Sequence, residues 1–595
     1  MKSHIILLLA AGVLLTSCLD ENPQYSQNGK TVFSTESNAE MALLGCYGYM
    51  STNNGYGQIW QEVPVFGSGL SVCRQNGNDS PGFLASLTQV PSNDLVGLAW
   101  DGMYKVIGEV NAFVESVDGS ELDDEAKARL DGEARFLRAI AYYNLVAHFG
   151  DVPKKLSVPS ADDIDMPRSP REEIFNEIVL PDLQFAMENL PETNVEGRLD
   201  ATAAVAFLGK VYYKMAMLDI DRQANLANAK SCFDDVYGKY ALDADPWGNI
   251  FSDEVQYSSK SPEVIIQITY DNSSTVCFNR SSNRFAPQQS TTNGTTNGTN
   301  RVAKFIYDLQ RGTYADDPRL NINYLTRYKR CGVAAAAAPY MCTYPYRTTA
   351  PGNAGNNIEV GLPYELFADP TNPTLAELNT FVGETQKETN QTKQLWTYFT
   401  TPGAVGIQIW PYYGKLFDTR QTAQYSHRPV IVYRYSELLL LMADVYNELG
   451  DTPRAIDLAN EVLARARNIG GPDGSPAAQP ADWPKSLTQS QVTEKLYFER
   501  IFELIGEPSI YDMVRVRGTE YLNKLLVLNN RHNITRECAI NNQTASALFS
   551  DHLFDNGSET QLSEDFLKRN LLLPVPTSEI DANPGISNDN NNYGY

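Results

Sequence analysis

The chain has 595 residues, of which 42% are hydrophobic and 20% charged, an ordinary composition for a soluble globular protein. Its formal net charge of −24 argues against binding of nucleic acid, because contacts to phosphates need a basic face. An acidic surface suits neutral or basic ligands instead.

The N-terminus has the pattern of a lipoprotein signal. Lys2 precedes an apolar run at 5–15, which has the length of a signal-peptide core and is too short to span a bilayer. The run ends in the letters LTSC at Cys18, which resembles a bacterial lipobox. Residues 1–17 are therefore predicted to be a signal peptide, and 18–36 a lipidated cysteine with its tether, which anchors the protein to a membrane. A plain signal peptide that contains a cysteine is the alternative.

The region 37–239 has apolar residues at three- and four-residue steps, the spacing of helices with one buried face. Ser37 and Ser169 are predicted to cap two of these helices. The exception is 51–93, which is rich in Gly and Asn and is predicted to be a long loop; such loops are often functional. Helices are predicted at 37–50, 94–117, 124–149, 169–189, 200–217 and 222–237.

The region 240–428 lacks this helical spacing of apolar residues and is predicted to be an irregular subdomain. Residues 263–268 form a strand candidate, and 288–300 read QQSTTNGTTNGTN, which is typical of a surface loop. A short helix is predicted at 301–309. Aromatic runs follow at 395–399 and 407–413.

The stretch 430–471 predicts two helices joined by a tight turn. Gly450 tolerates the left-handed end of the first helix, while Thr452 and Pro453 open the second one as its cap and first residue. Its spacing of small residues and tyrosine resembles a tetratricopeptide hairpin, although an ordinary helical hairpin is the alternative. A tetratricopeptide hairpin cannot bury its apolar face alone, so about four helix pairs are predicted. Helices at 490–505 and 509–514 and then a coil complete the chain.

No spacing of cysteine or histidine predicts a metal site or a cofactor. Cys331 and Cys342 bracket a short Ala-rich loop, and their spacing leaves open whether they pair. Buried free thiols are predicted for most of the other cysteines. No nucleophile triad, P-loop or dinucleotide fingerprint appears in a supporting context.

Several short motifs lie in a particular order along the chain. EARFLRA and FGDVP occur at 133–139 and 149–153, and RYSELLLLMAD occurs at 434–444. The remaining motifs are PRSPR at 167–171, GRL at 197–199, LPVP at 573–576 and NP at 583–584. Together with the lipobox and the acidic LDENP after it, they resemble the SusD/RagB family of outer-membrane nutrient-binding lipoproteins. One departure is GEPSIYDMVR at 506–515, where the family usually has Glu-Gly-x-Arg before Asp-Leu-x-Arg.

This resemblance implies a mainly α fold in which four tetratricopeptide-like helix pairs pack against an irregular, loop-rich ligand-binding half. It assigns the first three pairs to 37–239, the ligand-binding subdomain to 240–428 and the fourth pair to 429–595. It also implies a non-enzymatic surface protein, lipid-anchored in the outer membrane, with a SusC-like TonB-dependent transporter as its partner. The implied ligand is an oligosaccharide, and some members are thought to handle peptides.

Candidate ligand residues follow from the chemistry of sugars, whose C–H faces stack on aromatic rings while their hydroxyls bond planar polar groups. Tryptophans in irregular, polar-flanked segments are candidates for stacking, with core packing as the alternative. Polar residues in the 51–93 segment are candidates for hydrogen bonding, with turn formation as the alternative. The candidates are Trp60, Trp396, Trp410, Tyr412, Asn76, Asn78 and Asp79.

Two other functions remain open. A helical glycoside hydrolase would need two carboxylates about 6.5–9.5 Å apart for inversion, or about 5–5.5 Å for retention, and no recognisable motif supplies them. A protein-interaction scaffold is the other alternative, because tetratricopeptide arrays often bind proteins.

Overall fold

The structure, a computed structural model, describes part of the chain in detail. The described residues are 33–73, 79–158, 165–245, 250–251, 261–270, 277–287, 298–330, 340–343, 347–351, 357–361, 411–418, 421, 425–469, 475–537 and 561–595. Within them the fold is mainly α-helical, as predicted, with a few short strands. No helix in these ranges is long and apolar enough to cross a membrane.

The helices that precede residue 245 include those predicted there, together with two further α-helices inside the predicted loop 51–93. They are α1 (Glu36–Met50), α2 (Ile59–Phe66), α3 (Ser80–Ala85), α4 (Asp94–Asp118), α5 (Asp124–Phe149), α6 (Arg171–Ile174), α7 (Leu180–Asn189), α8 (Ala201–Met217) and α9 (Arg222–Val236), with π-helical turns at Asn53–Gly57 and Phe175–Val179.

Helix α5 shows how the sequence sets its ends. The Asp123 side chain accepts a hydrogen bond from the backbone N–H of Ala126 at 2.8 Å and so caps the first turn. Gly150 ends the helix at φ +74°, a conformation that favours glycine. Both ends agree with the prediction.

The strands are short and antiparallel. They are β1 (Ser71–Cys73), β2 (Val152–Pro153), β3 (Arg168–Ser169), β4 (Val264–Ile268), β5 (Asn300–Val302), β6 (Tyr324–Leu325), β7 (Arg327–Arg330), β8 (Tyr340–Thr343), β9 (Arg347–Pro351), β10 (Asn357–Gly361), β11 (Tyr412–Tyr413) and β12 (Val430–Arg434). β7 to β10 form one sheet in chain order, and the others pair as β1–β5, β2–β3, β4–β12 and β6–β11.

The remaining helices lie in the middle and C-terminal regions. They are α10 (Ser281–Phe285), α11 (Lys304–Thr313), α12 (Leu320–Asn323), α13 (Tyr435–Glu448), α14 (Thr452–Asn468), α15 (Gln489–Leu504), α16 (Ile510–Arg515), α17 (Gly518–Glu537), α18 (Glu564–Arg569) and α19 (Thr577–Ala582), with 3₁₀ turns at Gly414–Leu416 and Asn588–Asn590.

The helices pack as pairs, chiefly α4 with α5, α8 with α9 and α13 with α14, while α7 lies against both α5 and α8. The predicted fourth pair, α13 and α14, docks on the predicted third pair, α8 and α9, although the two pairs are far apart in sequence. Lys210 on α8 pairs with Glu437 on α13 at 2.7 Å, and the Tyr213 hydroxyl donates to Asp444 at 2.6 Å. Both contacts are buried, so they fix how α13 sits on α8.

Helix α13 and α14 form the predicted hairpin with two corrections. Val430–Arg434 is strand β12 rather than the start of a helix, because its backbone pairs with β4. Gly450 has φ +90°, as expected of its position. The cap of α14 is Asp451, whose side chain accepts from the backbone N–H of Arg454, and not Thr452.

Other element predictions were also wrong. The predicted loop 51–93 contains α2, β1 and α3, and the predicted C-terminal coil contains α17 to α19. Residues 300–302 are strand β5, and the helix predicted at 301 begins at Lys304. The cap of α1 is Thr35 rather than Ser37, and Ser169 lies in β3.

One contiguous hydrophobic core contains residues from all three predicted regions, and the boundaries between these regions stay predictions. Cys46 is a buried free thiol, as predicted, and Cys232 is a half-buried one. The predicted lipobox and Cys331 lie outside the described residues.

A network of buried charges joins the middle of the chain to the C-terminal helices. Arg434, which is 0% exposed, contacts Glu263 at 2.6 Å and both Glu503 and Glu507 at 2.8 Å. Arg319 contacts Glu499 at 2.6 Å and Glu503 at 3.0 Å. Buried charges are tolerated only when they are paired in this way.

Candidate ligand-binding site

The chain segments that carry most of the predicted ligand residues each have one end at the same place in the described fold, the β1–β5–β11 junction. β1 pairs with β5, so that Ser71 lies opposite Val302. The backbone N–H of Val302 then donates to the carbonyl of Pro411, just before β11, at 2.9 Å. The hydroxyls of Ser71 and Tyr413 are 2.6 Å apart and link β1 directly to β11.

Aromatic packing holds this junction on the helical core. Phe285 on α10 stacks on Phe66 of α2, with ring centroids 5.6 Å apart, and meets Tyr413 edge-on at the same distance. Because α2 is buried along its whole length, the junction rests on a fixed support.

The predicted residues Asn76 and Asn78 follow β1, and Trp410 directly precedes Pro411. These residues and Trp396 lie outside the described ranges, so their role in binding stays a prediction. Their flanking residues are described: Cys73 and Asp79, at the two ends of the 74–78 segment, approach each other with Sγ and Oδ1 4.0 Å apart.

Three predicted ligand residues have structural contacts. Trp60 is 1% exposed, donates from its indole N–H to the carbonyl of Ala99 at 3.0 Å, and meets the His148 ring edge-on. Its prediction as a ligand contact is corrected: α2 is a helix rather than a loop, and this face of it is in the core. Asp79 caps α3, because its side chain accepts a hydrogen bond from the backbone N–H of Gly82. This structural role corresponds to turn formation, the alternative to ligand binding.

Tyr412 is likewise buried, at 4% exposure, and its hydroxyl accepts a hydrogen bond from Nε of Arg301 at 3.2 Å. This burial corrects the prediction that it stacks on a ligand from the surface. Arg301 lies on β5, so the contact adds a second link between β5 and β11.

Asn300 is a polar residue of the junction that the sequence did not single out. Its side chain is fully buried, and neither the oxygen nor the nitrogen of its amide has a hydrogen-bond partner among the described residues. A buried amide without partners is costly to stability. No local sequence signal distinguishes Asn300 from the other asparagines of the 288–300 stretch.

Glu62 is a second buried polar group beneath the junction. Its carboxylate is 0% exposed and lies 3.1 Å from Nε of Arg284 on α10. Burial raises the pKa of Glu62 to about 7, although Arg284 acts in the opposite direction.

A family model described as the SusD family matches residues 262–595, which is more than half of the chain. The chain belongs to the SusD family. A second model, described as starch-binding and associating with the outer membrane, matches residues 19–213. The two matches leave only short parts of the chain uncovered, as the order of the sequence motifs predicts.

The relatives in the SusD family have low sequence identity to this chain, and one of them matches it over most of its length. SusD-like protein P25 of Formosa agariphila is 24% identical over 84% of this chain and 86% of its own length. SusD-like protein P2 of the same organism is 31% identical, but the match spans 36% of this chain and only 43% of P2.

Solved structures confirm the SusD-like fold. A SusD homolog from Bacteroides thetaiotaomicron has a TM-score of 0.70 at 18% identity, covering 95% of this chain and 98% of the homolog. A laminarin-binding SusD-like protein has a TM-score of 0.58 at 17% identity, covering 95% of this chain and all of the other. At these identities the likeness concerns the fold.

Proposed function

We propose that this SusD-family protein binds an oligosaccharide at the β1–β5–β11 junction and passes it, uncleaved, to a SusC-like TonB-dependent transporter. It does so on the cell surface, held to the outer membrane by lipidated Cys18. The family description as starch-binding and the laminarin-binding neighbour support a glycan as the ligand.

The observation that carries the proposal is the convergence of separate chain segments. The 74–78 segment leaves β1, the 288–297 segment leads towards β5, and the 362–410 segment leads to β11. Because β1, β5 and β11 are hydrogen-bonded neighbours, residues far apart in sequence start from one place. Trp410, Asn76 and Asn78 supply the stacking and hydrogen-bonding groups that a sugar needs.

The test is a glycan and peptide binding screen on the mature chain with Cys18→Ser, read by calorimetry and tryptophan fluorescence. We expect a neutral oligosaccharide to bind and Trp410→Ala or Trp396→Ala to weaken it roughly tenfold, by analogy with the loss of about 1–3 kcal/mol when an aromatic ring that stacks on a flat nucleobase is truncated. Tyr237→Ala removes an exposed aromatic ring directly after helix α9, away from the junction, and is the matched control that leaves binding unchanged.

The outcomes separate the parts of the proposal. Binding that none of the site variants weakens would show that the site lies elsewhere. Binding of peptides alone would show that the ligand is a peptide and not an oligosaccharide. Cleavage of any bound glycan would favour the hydrolase alternative. Co-purification of the lipidated chain with a TonB-dependent transporter from its own outer membrane tests the delivery step.

A further inference from the structure

A cavity of about 330 Å³ lies where the ends of α5, α8 and α16 meet α18 and the C-terminal tail. Its size lies within the range of small-molecule sites. It is separate from the β1–β5–β11 junction, since none of its lining residues belongs to those strands. Much of its wall is apolar and includes Val146, Met217, Leu218, Val516 and Leu572.

The charged residues that line this cavity are all basic. Arg171, Lys214, Arg515, Lys568 and Arg569 line it, and none of the lining residues is acidic. This is unusual in a chain with a net charge of −24. A cleft lined by charges of one sign raises the local concentration of ions of the opposite sign.

The two lysines already have carboxylate partners. Lys214 pairs with Asp512, and Lys568 pairs with Glu564 on the same helix at 2.6 Å. Arg515 is buried and has no carboxylate in its hydrogen bonds; it donates to backbone carbonyls, including that of Gly67 at 2.6 Å. Burial lowers the pKa of Arg515, so an anion nearby would stabilise its charge.

Arg171 and Arg569 retain hydrogen-bonding capacity. Among the described residues, no hydrogen bond or ion pair engages the guanidinium of Arg171, which is half-buried at the start of α6. Arg569 donates from one terminal nitrogen to the carbonyl of Gln89, while its Nε is buried without a partner. A buried N–H without an acceptor is costly, and a carboxylate or phosphate oxygen would satisfy it.

We propose that this cavity binds an organic anion, with a carboxylate or phosphate head held by Arg171 and Arg569 and a short apolar body against the Met217 and Leu572 wall. The guanidinium groups supply the charge-assisted hydrogen bonds that such heads prefer. A bare inorganic ion is not the best ligand, because burying the apolar wall stabilises only a ligand that has an apolar part.

The experiment is calorimetric titration of the mature chain carrying Cys18→Ser with octanoate, octyl phosphate, octyl glucoside and inorganic phosphate, each below its aggregation concentration. We expect octanoate and octyl phosphate to bind at one site per chain and to weaken as salt is raised. Arg171→Gln is expected to weaken both about tenfold or more, the effect of losing a hydrogen bond to a charged group. Arg171→Lys, which keeps the charge, is expected to retain most of the affinity.

Lys105→Gln removes one exposed cation on α4 and is the matched control, with unchanged binding expected. Equal affinity for octyl glucoside would overturn the role of the anionic head, and equal affinity for inorganic phosphate would overturn the role of the apolar wall. Absence of octanoate binding at millimolar concentration, or equal binding by Arg171→Gln and Lys105→Gln, would overturn the site. None of these results bears on glycan binding at the junction.

Discussion

Glu62 places a carboxyl group in the buried helix α2, where burial outweighs the nearby Arg284 and raises its pKa to about 7. A carboxyl whose folded pKa lies above its ordinary value of 4.5 binds more protons in the folded state. Its contribution to stability is therefore full below about pH 4.5 and is lost as the pH rises towards about 7. We expect Glu62→Gln to remove this slope, which is at most about 1.4 kcal/mol per pH unit.

The measurement is urea unfolding of the wild type and Glu62→Gln across this pH range. The difference in free energy of unfolding between them should grow in favour of Glu62→Gln as the pH rises. Glu172→Gln, an exposed residue on α6, removes the same formal charge and serves as the control. A pH-independent difference for Glu62→Gln would contradict the raised pKa.

At the scale of elements, long helices with regular apolar spacing were predictable and short buried ones were not. Helix α5 matches its prediction at both ends, because an aspartate cap and a glycine stop mark it locally. Helix α2 was predicted as loop: all its residues are buried, so no polar face marks its period, and it contains Pro64. The sequence pattern predicts a helix where strand β12 lies, because its pairing with β4 is not visible locally.

The cap of α14 provides a test at this scale. The Asp451 side chain, rather than Thr452, accepts the first-turn N–H of Arg454. We expect Asp451→Ala to lower the free energy of unfolding by about 0.5–2 kcal/mol, and Asp451→Asn, which keeps the accepting oxygen, to cost less. Equal losses in urea unfolding for both variants would show that the cap hydrogen bond does not carry the effect.

At the scale of the whole molecule, the helical pairs are easier to predict from the sequence than the β1–β5–β11 junction. Trp60 and Tyr412 are aromatic residues in segments predicted to be irregular, which is also what the sequence shows for exposed aromatic residues. Their burial depends on contacts with Ala99 and Arg301, residues that lie far away in sequence. The junction itself is visible only once β1, β5 and β11 are paired. Asn300 belongs to it for the same reason.

The buried charge network is the other feature set by distant contacts, and it joins β4, β12 and α15. Burial and the neighbouring arginines act in opposite directions on the pKa of Glu503. Burial raises this pKa, but Arg465, Arg434 and Arg319 lower it by more, so that it lies well below its ordinary value. The carboxylate is therefore charged in the folded state. Its partners hold the middle region against the C-terminal helices.

Removal of Arg434 tests whether this network is needed for stability. We expect Arg434→Met to lower the free energy of unfolding by about 3–5 kcal/mol, since it leaves buried carboxylates without a shared cation, although methionine fills much of the volume. Lys105→Met, which breaks an exposed pair with Glu109, is expected to cost at most about 1 kcal/mol. Because a lowered carboxyl pKa contributes its full stability above the ordinary value of 4.5 and loses it progressively as the pH falls below that value, the cost of Arg434→Met should shrink as the pH is lowered below about 4.5. Similar urea midpoints for the two variants would mean that packing, and not the charges, joins the two regions.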